Sequence, residues 1–204
     1  MNKPAGVILA GGRSSRMGVT RKALIQLKGK SLLRRVIDRL ADHLDPLLLS
    51  CESETSDFDS YGLDIVSDLL PDHRGPLTGL YSTLQHLQDK GHTNGLVLCP
   101  CDAPFIPQNL VQVLLEADQS DYKPAIAISY RGVLQPTFSL WQTHHLPIIR
   151  EAVIESGMGG LKHLLRSVPH KVVEWAEVEP SPFFNVNTPQ ELESAAQWLD
   201  PKLT

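Results

Sequence analysis

Residues 5–18 read AGVILAGGRSSRMG. Within them, Val7–Ala10 is a continuous apolar run that ends at Gly11-Gly12, and a strand buried on both faces of a parallel sheet has this pattern. The glycines allow a tight backbone turn with exposed N–H donors, and Arg13 and Arg16 place positive charge just beyond it. Because backbone donors and fixed cations together suit a polyphosphate, the stretch predicts a central strand that runs into an anion-binding loop.

The rest of the chain repeats this alternation of short apolar runs with helical patterns. Further strand candidates are Leu47–Leu49, Leu63–Val66, Leu96–Cys99, Ala125–Ser129, Thr137–Trp141 and Lys171–Trp175. Helical patterns begin at Ser31, Gly75, Pro107 and Thr188, and two more cover His145–Glu155 and Gly159–Val168. Regular alternation implies right-handed βαβ units, so we predict an α/β fold with three layers, a mostly parallel sheet with helices on both faces. Residues 1–204 show no internal repeat or linker and are expected to form a single domain.

The composition excludes several classes of function. The chain has 204 residues, 42% of them hydrophobic and 21% charged, which supplies a core and excludes intrinsic disorder or a disulfide miniprotein. The net charge of −4 argues against a dedicated nucleic-acid binder, and an odd number of cysteines, three, favours reduced thiols. No apolar run approaches the ~20 residues that span a bilayer. We therefore expect a soluble, cytoplasmic protein with neither nucleic acid nor membrane as a partner.

Two aspartates follow other predicted strands, where ligands of an open parallel sheet collect. Asp68 comes after Leu63–Val66, and Asp102 comes after Leu96–Cys99 on a loop stiffened by two prolines. A carboxylate held in this way suits Mg²⁺, which proteins often bind through one or two carboxylates plus substrate phosphates. Asp102 is equally well interpreted as a turn residue that bonds nearby backbone amides. For the glycines after the first strand, a simple strand-to-loop turn is an alternative but the less favoured one.

Other known motifs do not fit. Gly18 is not followed by the Lys and Ser/Thr of a Walker A loop, and the dinucleotide pattern G-x-G-x-x-G is absent at this turn. Cys99 and Cys101 lack a second ligand pair at zinc spacing and are better interpreted as packed thiols. The spacing of the chain's Ser, Cys, His and Asp residues indicates no nucleophilic triad.

Four ordered segments resemble a known family. Residues 9–18, followed by Lys22-Ala23-Leu24, are similar to the nucleotide-binding signature of the GT-A-like nucleotidyltransferases, which have a Rossmann-like fold. Gly75–Gly79, Cys99–Pro104 and Phe184–Leu192 resemble later segments of one branch, the molybdenum cofactor guanylyltransferases. The similarity runs from residue 5 to about residue 199, so it covers nearly the whole chain.

The resemblance implies a reaction and its partners. Members of the family join GMP from GTP to the phosphate of the molybdopterin cofactor, releasing pyrophosphate, with Mg²⁺ as the cofactor. Molybdoenzyme chaperones and other cofactor-biosynthesis proteins are further expected partners. Phosphoryl chemistry of this kind needs charge screening and in-line positioning rather than a covalent nucleophile, which agrees with the lack of a triad.

The resemblance also implies roles for individual residues. The backbone of Leu9, Ala10, Gly11 and Gly12 would line the nucleotide. Lys22 would hold the triphosphate, and Arg13 and Arg16 would help to neutralise the departing pyrophosphate, so that Lys22, Asp102 and Arg16 carry the catalysis. Asp68 would contact the nucleoside side of GTP, and Asp102 would bind Mg²⁺. Asn185 or Asn187 would share the metal, and Gln135 would lie near the pterin half of the site.

Two positions depart from the family pattern. Ser50 stands where the family has a nucleotide-binding asparagine, which weakens the expected contact at that position. Arg21 stands where an acidic residue is usual before the lysine, and its charge either assists Lys22 with the triphosphate or faces water.

Three other functions stay open. A molybdenum cofactor cytidylyltransferase would use the same chemistry with CTP, although such enzymes tend to have Ala-Ala-Gly where this chain has Ala10-Gly11-Gly12. A sugar-phosphate or isoprenoid-precursor nucleotidyltransferase is a more distant enzyme alternative. A non-catalytic nucleotide-binding module would fit the two departures. Lys22 and Asp102 argue against it, because a module that only binds has less need of a metal-binding carboxylate.

Overall fold

A computed structural model of the chain describes residues 3–11, 21–52, 55–70, 75–118, 122–155 and 160–199. Seven strands form one sheet in the order β5-β4-β1-β6-β8-β7-β9. The strands are β1 (Ala5–Leu9), β4 (Leu47–Cys51), β5 (Asp64–Ser67), β6 (Leu96–Pro100), β7 (Ala125–Tyr130), β8 (Val133–Trp141) and β9 (His170–Trp175). A separate two-stranded ribbon pairs β2 (Gln26–Leu27) with β3 (Lys30–Ser31). Among the described strands of the sheet, only β8 runs antiparallel to its neighbours, so the predicted mostly parallel sheet is confirmed.

Helices cover both faces of the sheet. The α-helices are α1 (Leu32–Leu40), α2 (Pro76–Asp89), α3 (Leu110–Ala117), α4 (Leu146–Arg150), α5 (Leu161–Ser167) and α6 (Pro189–Trp198). Short 3-10 turns cover Lys22–Leu24, Ser56–Tyr61 and Thr143–His145, and α4 continues as a π-helical turn over Glu151–Glu155. None of these described helices is long and apolar enough to cross a membrane.

Alternate residues of each central strand face two separate apolar cores. Ile8 of β1 packs in the core that contains α1 and α3, whereas its neighbour Val7 packs in the core that contains α2, α4 and α5. Both side chains are at most 1% exposed. Burial on both faces explains why the strand has an uninterrupted apolar sequence.

Several element boundaries differ from the sequence prediction. α3 begins at Leu110 rather than Pro107, because residues 107–109 form a turn that the Leu110 N–H closes by donating to the Pro107 carbonyl, 3.1 Å away. β8 begins at Val133, four residues before the predicted start. Its added length pairs with β7 through a two-residue turn, Arg131-Gly132, in which both φ angles are positive (53° and 71°).

Candidate active site

The carboxyl ends of β1, β4 and β6 meet beside a cavity of about 330 Å³. β1 lies between the other two strands, so the chain crosses from one half of the sheet to the other at this point, where open α/β sheets bind ligands. The residues that line the cavity are Leu9, Gly11, Lys22, Ser50, Asp68, Gly75, Pro76, Gly79, Pro100, Cys101, Asp102, Thr137, Asn185 and Asn187. The topology therefore brings eight of the sequence-predicted residues to one place.

Backbone hydrogen bonds fix the three strand ends against one another. The Ala10 N–H donates to the Ser50 carbonyl at 2.8 Å, and the Cys101 N–H donates to the Leu9 carbonyl at 3.1 Å. Ala10 is buried beneath these strand ends and does not line the cavity. Ser50 is only 3% exposed and lies at the base of the cavity.

An ion pair crosses the cavity. The Lys22 ammonium contacts Asp102 Oδ2 and donates a hydrogen bond to Asn187 Oδ1 at 2.5 Å. The side chains of Lys22 and Asp102 are 12% and 14% exposed, so water screens the pair weakly. Asp102 and Asn187 hold the Lys22 ammonium at the strand ends, where it can contact an anionic ligand.

The two asparagines of the cavity lining lie in the segment that follows β9. The Val186 N–H donates to the Asp102 carbonyl at 2.9 Å, which holds the segment with Asn185 and Asn187 beside the Asp102 loop. Val186 is fully buried in a small third core formed with Leu27, Leu32 and other residues. Hydrophobic burial thus anchors the segment that completes the site.

Buried side-chain oxygens that have no hydrogen-bond partner among the described residues lie at the site. Asp102 Oδ1 and Asn185 Oδ1 are both buried, and within the described parts of the chain neither accepts a hydrogen bond. Buried polar oxygens without a partner are costly, and one carboxylate with amide oxygens is a donor set that suits Mg²⁺. The described residues include no cluster of three or more His, Cys, Asp or Glu side chains able to hold a metal ion.

The first turn of α2 forms another wall, for which sequence reasoning assigned no role. Gly75, Pro76 and Gly79 line the cavity, and Gly79 lies directly against β1 and β4. A Cβ atom on Gly79 would lie 2.6 Å from Leu9 Cδ2 and 2.7 Å from Ser50 Oγ. The close approach therefore favours glycine at this position, because a Cβ would displace the ends of the Leu9 and Ser50 side chains. The sequence indicated a helix start at Gly75, and the family resemblance singled out the segment Gly75–Gly79.

The cysteines of the β6 end are packed thiols. Cys99 is fully buried and Cys101 is 5% exposed, and burial raises the pKa of both thiols well above their ordinary value. The negative charge of Asp102 raises the pKa of Cys101 further. Cys101 lines the cavity as a neutral thiol, so it contributes shape rather than charge.

The remaining predicted residues have different locations. Gln135 lies on β8 outside the cavity lining, whereas Thr137, two residues on, lines it. The β7–β8 register skips from Ser139 to Gln135, so Thr137 lies in a bulge of β8. Gly12, Arg13 and Arg16 lie outside the described residues.

Arg21 does not line the cavity. Its Nε donates to Asp57 Oδ2 at 2.5 Å, and its guanidinium lies 5.4 Å from the centre of the Phe58 ring. The extra positive charge before Lys22 is thus engaged by an acidic partner and an aromatic face.

The strand order changes direction at β1, and the charged cluster lies beyond the strand ends there, which is where open α/β sheets bind nucleotides. The chain belongs to the MobA-like NTP transferase family, whose model matches residues 6–172. Two relatives are named molybdenum cofactor guanylyltransferase. The one from Rhodopseudomonas palustris (strain HaA2) is 34% identical and covers 94% of this chain and 90% of its own length. The one from Vibrio cholerae is 36% identical, and the match covers 91% of this chain and 88% of that protein.

A solved structure has the same fold. The molybdopterin-guanine dinucleotide biosynthesis protein A from Archaeoglobus fulgidus superimposes with a TM-score of 0.77 at 20% identity. The match covers 95% of this chain and 97% of that one. It confirms the predicted three-layer α/β architecture.

Proposed function

We propose that this chain transfers GMP from GTP to the phosphate of the molybdopterin cofactor, forming molybdopterin guanine dinucleotide and releasing pyrophosphate. The observation that carries the proposal is the meeting of Lys22, Asp102 and Asn187 at the carboxyl ends of the central strands. The names of the curated relatives, at 34% and 36% identity, support GTP and molybdopterin as the substrates.

The transfer joins two anions. A phosphate oxygen of the cofactor bonds to the α-phosphorus of GTP, and the bond from that phosphorus to the bridging oxygen breaks, so pyrophosphate leaves with the electron pair. The site must therefore offset negative charge and keep the attacking and leaving oxygens in line. The Lys22 ammonium supplies fixed positive charge for the triphosphate, and Asp102 and Asn187 hold that ammonium in place. The attacking phosphate is already ionised near neutral pH, so the chain needs no strong base.

We propose Asp102 as the residue that holds Mg²⁺, together with Asn185 or Asn187. The oxygens of Asp102 and Asn185 without partners among the described residues support this assignment. Once bound, Mg²⁺ supplies neutralisation of phosphate charge and lowers the repulsion between the reacting anions.

The nucleotide would lie along the end of β1. We propose backbone contacts from Leu9 to Gly12, a contact from Asp68 to the nucleoside side, and a floor formed by Ser50. Leu9, Gly11, Ser50 and Asp68 all line the cavity, which supports this placement. Arg13 and Arg16 for the pyrophosphate, and Gln135 near the pterin, remain proposals from the family resemblance.

Calorimetric binding of GTP, CTP and ATP, each with Mg²⁺, tests the proposal on wild type and Asp102→Ala. We expect selective GTP binding that the substitution weakens, while Glu193→Ala, on an exposed residue of α6, binds as wild type does. Preference for CTP would change the product to the cytosine dinucleotide. If no nucleotide binds and no pyrophosphate is released with molybdopterin present, the chain is a non-catalytic module and the proposal is wrong.

A further inference from the structure

Glu191 does not line the cavity, but its carboxylate accepts a hydrogen bond from the backbone of Asn187, which does. Its Oε2 accepts a hydrogen bond from the Asn187 N–H at 2.6 Å and another from the Thr188 hydroxyl at 3.1 Å. The Thr188 hydroxyl oxygen accepts in turn from the Glu191 N–H at 3.2 Å, which caps α6. In an ordinary capping box the carboxylate takes the N–H of the capping residue itself. Here it reaches one residue further back, to Asn187.

Asn187 is consequently held at three of its atoms. Besides the backbone bond to Glu191, its Nδ2 donates to the Asn185 carbonyl at 3.2 Å. That bond leaves Oδ1 facing the cavity, where it accepts from the Lys22 ammonium at 2.5 Å. The orientation of the amide and the location of the ammonium therefore depend on where the Asn187 backbone is held.

We infer that Glu191 is a positioning residue for the transfer reaction. It fixes the Asn187 backbone, and through the Asn187 amide it sets the place of the Lys22 ammonium at the strand ends. The inference rests on the function proposed above. Because a bond to a carboxylate is stronger than one between neutral groups, loss of this carboxylate loosens both residues, and nucleotide binding weakens.

The kinetic test compares three variants by pyrophosphate release. Glu191→Ala is expected to raise the KM for GTP with Mg²⁺ about tenfold while kcat stays within about twofold, the effect of losing one charged hydrogen bond. Glu191→Gln keeps an acceptor oxygen and should recover most of the wild-type KM. Thr188→Val is the matched control, since it removes the capping hydroxyl but leaves the carboxylate to hold Asn187. It should lower the melting temperature and leave the KM unchanged.

Two kinetic outcomes would overturn the inference. One is a folded Glu191→Ala protein with the wild-type KM. The other is a Thr188→Val protein whose KM rises as much as that of Glu191→Ala, because the effect would then come from helix capping alone. Should Glu191→Ala fail to fold, Glu191→Asp replaces it: it keeps a carboxylate in the first turn of α6 but is one methylene too short to reach Asn187, and it should raise the KM.

Hydrogen exchange of the Asn187 backbone N–H, followed by NMR, separates this inference from the proposed function. Protection should be lost in Glu191→Ala and retained in Thr188→Val, whether or not GTP is turned over. That pattern in a protein without transferase activity would reject the proposed function and leave the Glu191 contact standing. An active enzyme whose Asn187 amide exchanges alike in wild type and Glu191→Ala would reject the inference alone.

Discussion

The Lys22–Asp102 pair joins residues that are 80 positions apart in the chain, and both side chains are largely buried. An ion pair withdrawn from water gives little net stability, because desolvation offsets most of the attraction. Breaking such a pair by removing one partner is costly, since the remaining charge is left buried. The pair is therefore better explained by a need for charge at this place than by stabilisation of the fold.

At the same scale, Asp102→Ala should nearly abolish activity. The substitution removes the carboxylate proposed to hold Mg²⁺, and we expect pyrophosphate release to fall by about 100-fold or more at saturating Mg²⁺. Asp102→Asn, which keeps the shape and one acceptor oxygen, should lose a similar factor because the charge is gone. Circular dichroism checks that both variants fold. Turnover at the wild-type rate in either variant would contradict the metal assignment.

Lys22→Met should weaken GTP binding, and because it leaves the Asp102 carboxylate buried without its partner it should also lower the free energy of unfolding. The methionine keeps most of the aliphatic length but removes the charge, so GTP affinity should fall by about 10- to 100-fold, the range for a charged hydrogen bond. Arg21→Gln is the neighbouring control, because Arg21 is engaged by Asp57 and Phe58. Titration calorimetry should show unchanged affinity in that control. Equal losses in the two variants would mean that general charge, rather than the placement of Lys22, attracts the nucleotide.

Among the elements, those with strong local signals were predictable and those shaped by tertiary contacts were not. The buried run of β1 and the start of α6 at Thr188 follow from local sequence alone, and the structure has both. The bulge in β8 depends on its pairing with β7, and no period in the sequence indicates it. Thr137 of β8 lines the cavity and Gln135, two residues before it, does not.

The packing of α2 on the sheet gives a prediction at the scale of elements. In Gly79→Ala the added methyl group would meet the side-chain ends of Leu9 and Ser50, so these side chains or α2 must shift, at an expected cost of about 1–3 kcal/mol. The movement also changes the cavity wall, and GTP should bind more weakly. Urea unfolding and calorimetry measure the two effects. Gln88→Ala, on an exposed position of the same helix, should change neither, and an equally stable Gly79→Ala protein would show that the contact yields easily.

For the whole molecule, the order of the strands assembles a site that no single segment contains. Lys22, Asp68, Asp102 and Asn187 come from four separate parts of the chain and meet because β1 is flanked by β4 and β6. The sequence predicted strands ending in charged residues, and it also predicted that these ends share one sheet edge. It did not predict that Lys22 contacts both Asp102 and Asn187, or that Glu191 reaches Asn187, because these contacts depend on side-chain packing between distant segments.

The stability of the whole molecule should decrease in mild acid because of His145. This side chain is 4% exposed, its Nδ1 accepts a hydrogen bond from the Gln142 N–H at 3.1 Å, and burial lowers its pKa to about 4. Above pH 6.5 the ring is neutral in both the folded and the unfolded chain. As the pH falls from 6.5 towards 4, only the unfolded chain takes up the proton, so the free energy of unfolding should fall by up to about 3 kcal/mol.

Burial raises the pKa of nearby Asp118, which has the opposite effect, since protonation then favours the folded state. The comparison is therefore made with His145→Asn, which keeps an acceptor for Gln142 and cannot titrate. Urea unfolding between pH 7 and pH 4.5 should show a smaller loss of stability in the variant than in wild type, and parallel curves would mean that His145 is protonated equally in both states.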